Sequence, residues 1–384
     1  MQHDFTLYTW SVSLYSGKAR AYLVKQAADF QDMSPAHEAY EARIRPAIGR
    51  WIIPVMETAD GEIIQDGASI IDWYEANRTP RLSAFPQTPR HLITSYIMEM
   101  FGGEGLVRPA MHYRWNFDAE NLDFLLQQFG LFALPHAAPE ERQAMALHAS
   151  GRMRKAASAF GVNDATIPAI EAAYLEFLEE LNDHFSQHPY LLGGCPTLGD
   201  YGLYAAMFAH LGRDPYPAMI MKQKAQAVFR WTERMSASSA DFPEFINTKE
   251  EILPQDAIPD TLRVLLQRVA ADYLPEIKAM VEAHNQWLAQ NNPADGEAVG
   301  GIHLGRGIGT CSFEWRGVRV QAVVMPYRVF MLQRIQDAYD GLSQAERASV
   351  DALLTDTGLG DIVTTRCDRR VERQDNREVW ASHP

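Results

Sequence analysis

Three hydroxyl side chains, those of Ser11, Ser13 and Tyr15, come just before or at the start of a predicted helix. The helix is indicated over Gly17–Ala28, where apolar residues recur at helical spacing. A hydroxyl near a helix N-terminus can donate a hydrogen bond to a thiolate, which lowers the pKa of the thiol and yields a nucleophile at neutral pH. A serine at a helix start is also a common N-cap, so Ser13 has a structural interpretation beside the chemical one.

A second group of candidate binding residues lies between a predicted hairpin and a predicted helix. Two strand-like runs, Pro54–Thr58 and Glu62–Gln65, are separated by Asp60-Gly61, a strong hairpin signal. Asp66 follows and precedes the helical run Ser69–Asn77. A helix N-terminus binds carboxylates, and an acidic residue beside it can pair with an amino group. Asp66 also suits a plain helix cap, and the two roles are compatible.

Aromatic and charged side chains that would wall a pocket for a second ligand occur in two short segments. These candidates are Trp10, Tyr15, Met111, His112, Tyr113, Arg114 and Trp115. An aromatic cluster is equally typical of an ordinary core. Charged groups at core positions need partners, which makes His112 and Arg114 unusual there. The residues leave the pocket and the core interpretations open.

The elements around these candidates follow a definite order. The first eighty residues indicate strand, helix, a possible short strand, helix, two strands and helix, ending at the proline-rich segment Thr79–Pro89. Residues 91–246 are helical in pattern nearly throughout. Within them Thr197 and Asp200 form a capping box ahead of a nearly continuous apolar run. The sequence therefore predicts an α/β domain followed by an all-α domain.

Four of these segments resemble glutathione transferases: residues 7–23, the pair Ile53-Pro54, the run 65–71 and the run 190–201. The resemblance covers about residues 5–245. It implies a thioredoxin-like glutathione-binding domain over residues 1–80 and an all-helical transferase domain over residues 90–245. It also implies glutathione as the cofactor, a small hydrophobic electrophile as the second substrate, and a homodimer.

The resemblance assigns the thiol-activating role to Ser13. In the serine- and cysteine-type classes that residue lies seven positions before a helix arginine, and counting back from Arg20 leads to Ser13. Leu14 replaces the proline that often follows it, so Ser11 and Tyr15 stay as alternatives for this role.

The resemblance also implies binding roles in the second half of the first domain. Pro54 is expected to follow a cis peptide bond, with the backbone of Ile53 facing the thiol. Asp66 and Gly67 are expected to meet the γ-glutamyl group at the helix N-terminus. Gly67 lacks the hydroxyl of the family motif, which leaves only its backbone N–H for binding.

Residues 246–384 have no counterpart in the resemblance. They predict an α-rich extension with one β-hairpin, formed by Ser312–Trp315 and Val318–Val324. The helical runs Asp260–Tyr273 and Ile277–Leu288 carry apolar faces that must be buried somewhere. We therefore expect the extension to pack on the transferase core and to help wall the second-substrate site, with an independent domain as the alternative.

The implied activity is glutathione-dependent conjugation, thiolytic cleavage or isomerisation of the electrophile. The departures at Leu14 and Gly67 support a second hypothesis, a non-catalytic binding or scaffold protein that retains the transferase fold. A thiol-disulfide reductase is disfavoured, because Ser13 stands where such chemistry needs a cysteine.

The composition and net charge restrict which partners and which cellular location we expect. The net charge of -14 argues against nucleic-acid binding, and the arginines near the C-terminus alternate with acidic residues, which predicts a solvated end. The apolar runs are too short for a membrane span. The three cysteines are far apart, so we expect no disulfide framework and no metal site. A reducing cytoplasm is the expected location, since no secretion signal is visible.

Overall fold

A four-stranded sheet with helices on it forms the N-terminal part of the chain. In this computed structural model, which describes residues 3–299 and 306–383, the sheet order is β2-β1-β3-β4. The strands are β1 Phe5–Tyr8, β2 Phe30–Met33, β3 Val55–Thr58 and β4 Ile63–Gln65. β1 runs parallel to β2 and antiparallel to β3, which pairs antiparallel with β4. The helices of this part are α1 Leu14–Lys25, α2 Arg45–Ile48 and α3 Gly67–Asn77. The predicted thioredoxin-like order is confirmed.

The second part is all helical, as the sequence predicts. Its helices are α4 Pro89–Met100, α5 Val107–Trp115, α6 Asp118–Ala133, α7 Pro139–Ala159, α8 Ile167–Gln187, α9 Leu198–Ala209, α10 Pro215–Lys224 and α11 Gln226–Ser236. The predicted capping box opens α9, because the Asp200 carboxylate accepts from the Thr197 N–H at 2.9 Å. The apolar α9 is buried between α1 and α4 and joins the first two parts of the fold. None of the helices in the described ranges is long and apolar enough to cross a bilayer.

The extension contains two hairpins and five helices within the residues described. Its helices are α12 Asp260–Asp272, α13 Leu274–Asn291, α14 Pro326–Asp340, α15 Gln344–Asp356 and α16 Asp361–Thr364, and its strands are β5 Gly309–Trp315, β6 Val318–Val324, β7 Arg370–Gln374 and β8 Arg377–Ala381. The hairpin β5–β6 agrees with the sequence prediction, whereas β7–β8 was not predicted. Both α14 and α15 pack on α4, and α12 packs on α8.

The prediction of a solvated arginine-rich end is wrong for its central residues. Arg370 pairs with Asp337 at 2.6 Å, and Arg373 pairs with Glu378 at 2.9 Å and also binds Gln65 of β4. The partner of Arg370 lies on α14, and the partner of Arg373 lies on the facing strand β8, so both arginines bind the chain's own carboxylates.

Candidate functional site

Ser13 lies at the N-cap position of α1 with an extended backbone, φ -83° and ψ 121°. Its N–H donates to the Trp10 carbonyl at 2.9 Å, which fixes the turn between β1 and α1. Its hydroxyl caps no backbone N–H of the helix. The Ser13 side chain is half-buried. Its hydroxyl lies at the N-terminus of α1 and makes no capping hydrogen bond.

Ile53 lies just before β3, and the Ile53–Pro54 peptide bond is cis, as predicted. Neither the N–H nor the C=O of Ile53 has a hydrogen-bond partner within residues 3–299 and 306–383. The side chain is buried in a small apolar cluster, against which Trp10 also packs. We call Ser13, the N-cap residue of α1, and Ile53, two residues before β3, the Ile53 edge, because both carry hydrogen-bonding groups without partners in the described part of the chain.

The structure separates the three candidate hydroxyls. Ser11 lines a cavity of about 540 Å³ that also contains Arg20. Tyr15 lines a much smaller cavity that contains Asp66. Burial and then the negative charge of Glu104 raise the pKa of Tyr15, so its phenol remains neutral. Ser13 lines neither cavity.

Asp66 caps α3 with one carboxylate oxygen and binds the extension with the other. Oδ1 accepts from the N–H groups of Ala68 at 2.9 Å and Ser69 at 3.4 Å. Oδ2 accepts from the Tyr327 hydroxyl at 2.9 Å. Tyr327 belongs to the first turn of α14, so the extension reaches the helix N-terminus that the sequence assigns to ligand binding.

Two further residues of the extension close the same region. The Gln65 N–H donates to Asn376 Oδ1 at 2.7 Å, and the Gln65 carbonyl accepts from Arg373 at 2.9 Å. We call Gln65, Asp66, Tyr327, Arg373 and Asn376 the Asp66 corner. The cavity that Asp66 and Tyr327 line together with Tyr15 and Lys18 measures about 20 Å³, which is room for about one water molecule.

Electrostatics stabilise this closure. Burial alone would raise the pKa of Asp66, but Arg373 and Lys18 outweigh burial and hold it below its ordinary value. Beside it, Glu378 binds Arg50 at 3.0 Å, Arg306 at 2.8 Å and Arg373. Burial opposes ionisation of Glu378 too, but these guanidinium groups lower its pKa to about 2. Asp66 and Glu378 are therefore both ionised, and Arg373 stabilises the negative charge of each.

Gly67, which lacks the expected hydroxyl, lies against the side chain of Lys18. A Cβ at this position would approach the Lys18 Cδ to 3.2 Å, closer than most such contacts. Lys18 is held there by a buried ion pair with Glu99 of α4. A side chain at Gly67 would therefore require the Lys18 side chain to shift slightly.

Of the seven predicted pocket residues, Trp10 and Tyr15 line cavities, while the five from α5 are buried in the helical part. Arg114 binds Asp214 through two hydrogen bonds of 2.6 and 2.9 Å and also donates to the Val12 carbonyl. His112 is 3.0 Å from Glu171, and burial lowers its pKa. Met111, Tyr113 and Trp115 are at most 8% exposed. Arg114 thus anchors the turn before α1 to the helical part.

The sequence predicts that the extension helps to wall a site, but not that Arg373 and Asn376 contact Gln65. The unusually apolar start of α14 was a signal that Tyr327 docks on another part of the chain. Nothing local to Arg373 or Asn376 identified their partners, because those partners lie some 310 residues earlier in the chain. Within the ranges described, no group of three or more His, Cys, Asp or Glu side chains is arranged to hold a metal ion. The unpaired backbone of Ile53 is suited to a peptide-like cofactor.

Comparison with known proteins places one segment in a family. Residues 164–234, which span α8, α9, α10 and most of α11, match the model of the glutathione S-transferase C-terminal domain. No curated protein matches the chain.

Similar solved structures include three proteins, each of which aligns with this chain over almost its whole length. A glutathione S-transferase from Rhodospirillum rubrum F11 is 16% identical, with a TM-score of 0.37, over 68% of this chain and 99% of that one. The β-etherase LigF from Sphingobium sp. strain SYK-6 is 15% identical, with a TM-score of 0.44, over 63% and 99%. A glutathione S-transferase of Methylobacterium radiotolerans in complex with glutathione sulfonate is 16% identical, with a TM-score of 0.35, over 65% and 98%.

Proposed function

From the match of residues 164–234 to the glutathione S-transferase C-terminal domain, we propose that the chain is a glutathione-dependent transferase. The observation that carries the proposal is the Ile53 edge. A main-chain N–H and C=O that are both unpaired can bind an extended peptide by strand addition. Glutathione is a tripeptide with its thiol on the central residue, so pairing at Ile53 would hold that thiol near the end of the sheet.

Ser13 is the residue we assign to the thiol. Its unpaired hydroxyl would donate a hydrogen bond to the sulfur, and the N-terminus of α1 would stabilise the negative charge. Both effects favour the thiolate at neutral pH. Glutathione supplies the nucleophilic sulfur when it is bound, and the protein holds it beside a small hydrophobic electrophile. Conjugation, thiolytic cleavage and isomerisation all begin from this arrangement, and a homodimer is part of the same proposal.

The Asp66 corner bears on how glutathione would enter. Its cavity of about 20 Å³ is too small for a γ-glutamyl group, so binding in the expected pose requires Tyr327 to move off Asp66. This closure is the observation behind a second candidate, a non-catalytic binding protein that retains the fold.

Measured turnover with glutathione distinguishes the transferase from the non-catalytic binding protein. We expect the full chain to conjugate glutathione to a chlorodinitrobenzene faster than the uncatalysed reaction, and Ser13→Ala to reduce this rate about 10- to 100-fold, the usual value of a hydrogen bond to a charged group. Ser158→Ala, a helix-surface serine on α7, is the matched control and should keep the full rate. Absence of both turnover and glutathione binding in the full chain would reject the enzyme and leave the binding protein.

A further inference from the structure

Arg114 of α5 reaches from the helical part to the turn that precedes α1. Its side chain is almost fully buried, with 2% of the residue exposed, although the guanidinium is always charged. The Nη1 group donates to the Val12 carbonyl at 2.8 Å. Because Val12 directly precedes Ser13, this hydrogen bond connects the helical part to the residue that we assign to the thiol.

The peptide group between Val12 and Ser13 is held at both ends. Its carbonyl oxygen accepts from Arg114, and its N–H donates to the Trp10 carbonyl at 2.9 Å. Val12 is only 3% exposed, so little water reaches this part of the turn. The peptide group is planar, and fixing both of its ends therefore fixes the direction of the backbone from which the Ser13 side chain departs.

Arg114 is in turn held within the helical part. Nε and Nη2 donate to the two carboxylate oxygens of Asp214 at 2.6 and 2.9 Å, and Nη2 also donates to the Ala209 carbonyl at 2.8 Å. Asp214 is fully buried. A bidentate pair of this kind sets the plane of the guanidinium and leaves Nη1 to reach Val12. The compact ammonium of a lysine cannot make both contacts in this geometry.

A second buried arginine of α5 has partners of a different kind. Arg108 binds the buried Glu276 at 2.6 Å and donates to the Phe160 carbonyl at 3.0 Å. Within the described ranges, none of its hydrogen bonds goes to the turn before α1. Arg108 is thus a matched control for Arg114, on the same helix and in a comparable ion pair.

From these contacts we propose that Arg114 is a positioning residue for the transferase reaction, which places the Ser13 hydroxyl where it donates to the glutathione thiolate. The inference rests on the proposed function, because Arg114 acts only through Ser13. A displaced donor makes a weaker hydrogen bond, and a shift of about 1 Å near a reacting group can cost about 100-fold in rate. Loss of the Val12 contact therefore raises the pKa of the bound thiol and lowers kcat.

The test compares Arg114→Lys with Arg108→Lys in the full chain, each alone and combined with Ser13→Ala. Arg114→Lys keeps a positive charge for Asp214 and loses the donor to Val12. We expect it to lower kcat with glutathione and a chlorodinitrobenzene about 10-fold and to leave the KM for glutathione within about 2-fold. Thiolate absorbance should show the pKa of the bound thiol moving towards that of free glutathione. Arg108→Lys should keep the parental kcat and thiol pKa.

The combined variants show whether Arg114 acts through Ser13. In the Ser13→Ala background, Arg114→Lys should change neither the thiol pKa nor kcat further, because the hydroxyl that it positions is absent. An additive loss in this double variant would overturn the inference. Parental values in Arg114→Lys alone, or an equal loss in Arg108→Lys, would overturn it too.

The same measurements separate this inference from the proposed function. A thiol pKa shift in Ser13→Ala without one in Arg114→Lys overturns the positioning role alone, whereas parental values in Ser13→Ala overturn the role of Ser13 as well. If Arg114→Lys does not fold, as judged by near-ultraviolet circular dichroism, Asp214→Asn takes its place. It loosens the bidentate pair that holds Arg114, so we expect a pKa shift in the same direction, again without additivity to Ser13→Ala.

Discussion

The Ile53 edge and the Asp66 corner, both at the end of one small sheet, differ in how their hydrogen-bonding groups are used. At the Ile53 edge a backbone N–H, a backbone C=O and the Ser13 hydroxyl have no partner in the described part of the chain. At the Asp66 corner the carboxylate and the Gln65 backbone are all bound, three of these contacts coming from the extension. Unpaired groups are costly unless a ligand uses them, so we propose the edge as the place where a ligand binds. The contacts of the corner hold the extension against the sheet.

The largest expected effect comes from breaking the ionic network that anchors α14. Arg328 joins Glu276 at 2.5 Å and Glu104 at 3.1 Å, and all three side chains are almost fully buried. Arg328→Met would leave two buried carboxylates without this partner, at a cost of about 3–5 kcal/mol in the free energy of unfolding. Denaturant unfolding measures this loss of unfolding free energy. Arg366→Met, which breaks an exposed pair with Asp340, is the control and should cost less than about 1 kcal/mol. Similar losses in the two variants would contradict the buried anchor.

The next largest effect is a pH dependence of the unfolding free energy, caused by Glu378 beside the Asp66 corner. Glu378 has its pKa lowered to about 2 in the folded chain, so it binds a proton less readily than in the unfolded chain. Its stabilisation is present above about pH 4.5 and is lost as the pH falls towards 2. Between pH 7 and about pH 3 the parent should lose about 2 kcal/mol more than Glu378→Gln in denaturant unfolding. If the unfolding free energies of the parent and of Glu378→Gln change equally with pH, Glu378 is not held ionised by its arginines.

A smaller effect tests the contact that closes the corner. Tyr327→Phe removes the hydroxyl that donates to Asp66, at an expected cost of about 1.5 kcal/mol in unfolding free energy. Tyr339→Phe removes a comparable but exposed contact with Asp351 and should cost less than about 0.5 kcal/mol. Equal stability of Tyr327→Phe and the parent would mean that the contact does not hold the extension.

The smallest effect is expected at the edge itself. Because the Ser13 hydroxyl caps nothing, Ser13→Ala should change the unfolding free energy by less than about 0.5 kcal/mol. A loss near 1 kcal/mol or more in denaturant unfolding would restore the helix-cap interpretation of Ser13.

Local patterns predicted the fold well where the partners are close in sequence. The hairpin β3–β4, the capping box at Thr197 and the order of strands and helices along the first domain all follow from turn, cap and strand signals. The closure of the Asp66 corner could not be predicted in this way, since Tyr327 binds a residue 261 positions earlier. The same limit applies to Arg114. Its charge suggested a pocket, whereas the structure pairs it with Asp214, 100 residues later in the chain.

The most direct test of the account is the ionisation of glutathione on the full chain, followed by ultraviolet absorbance of the thiolate against pH. The account predicts saturable binding at the Ile53 edge and a thiol pKa below that of free glutathione, with the shift reduced in Ser13→Ala. Absence of binding, or a bound thiol that titrates like free glutathione, would contradict it.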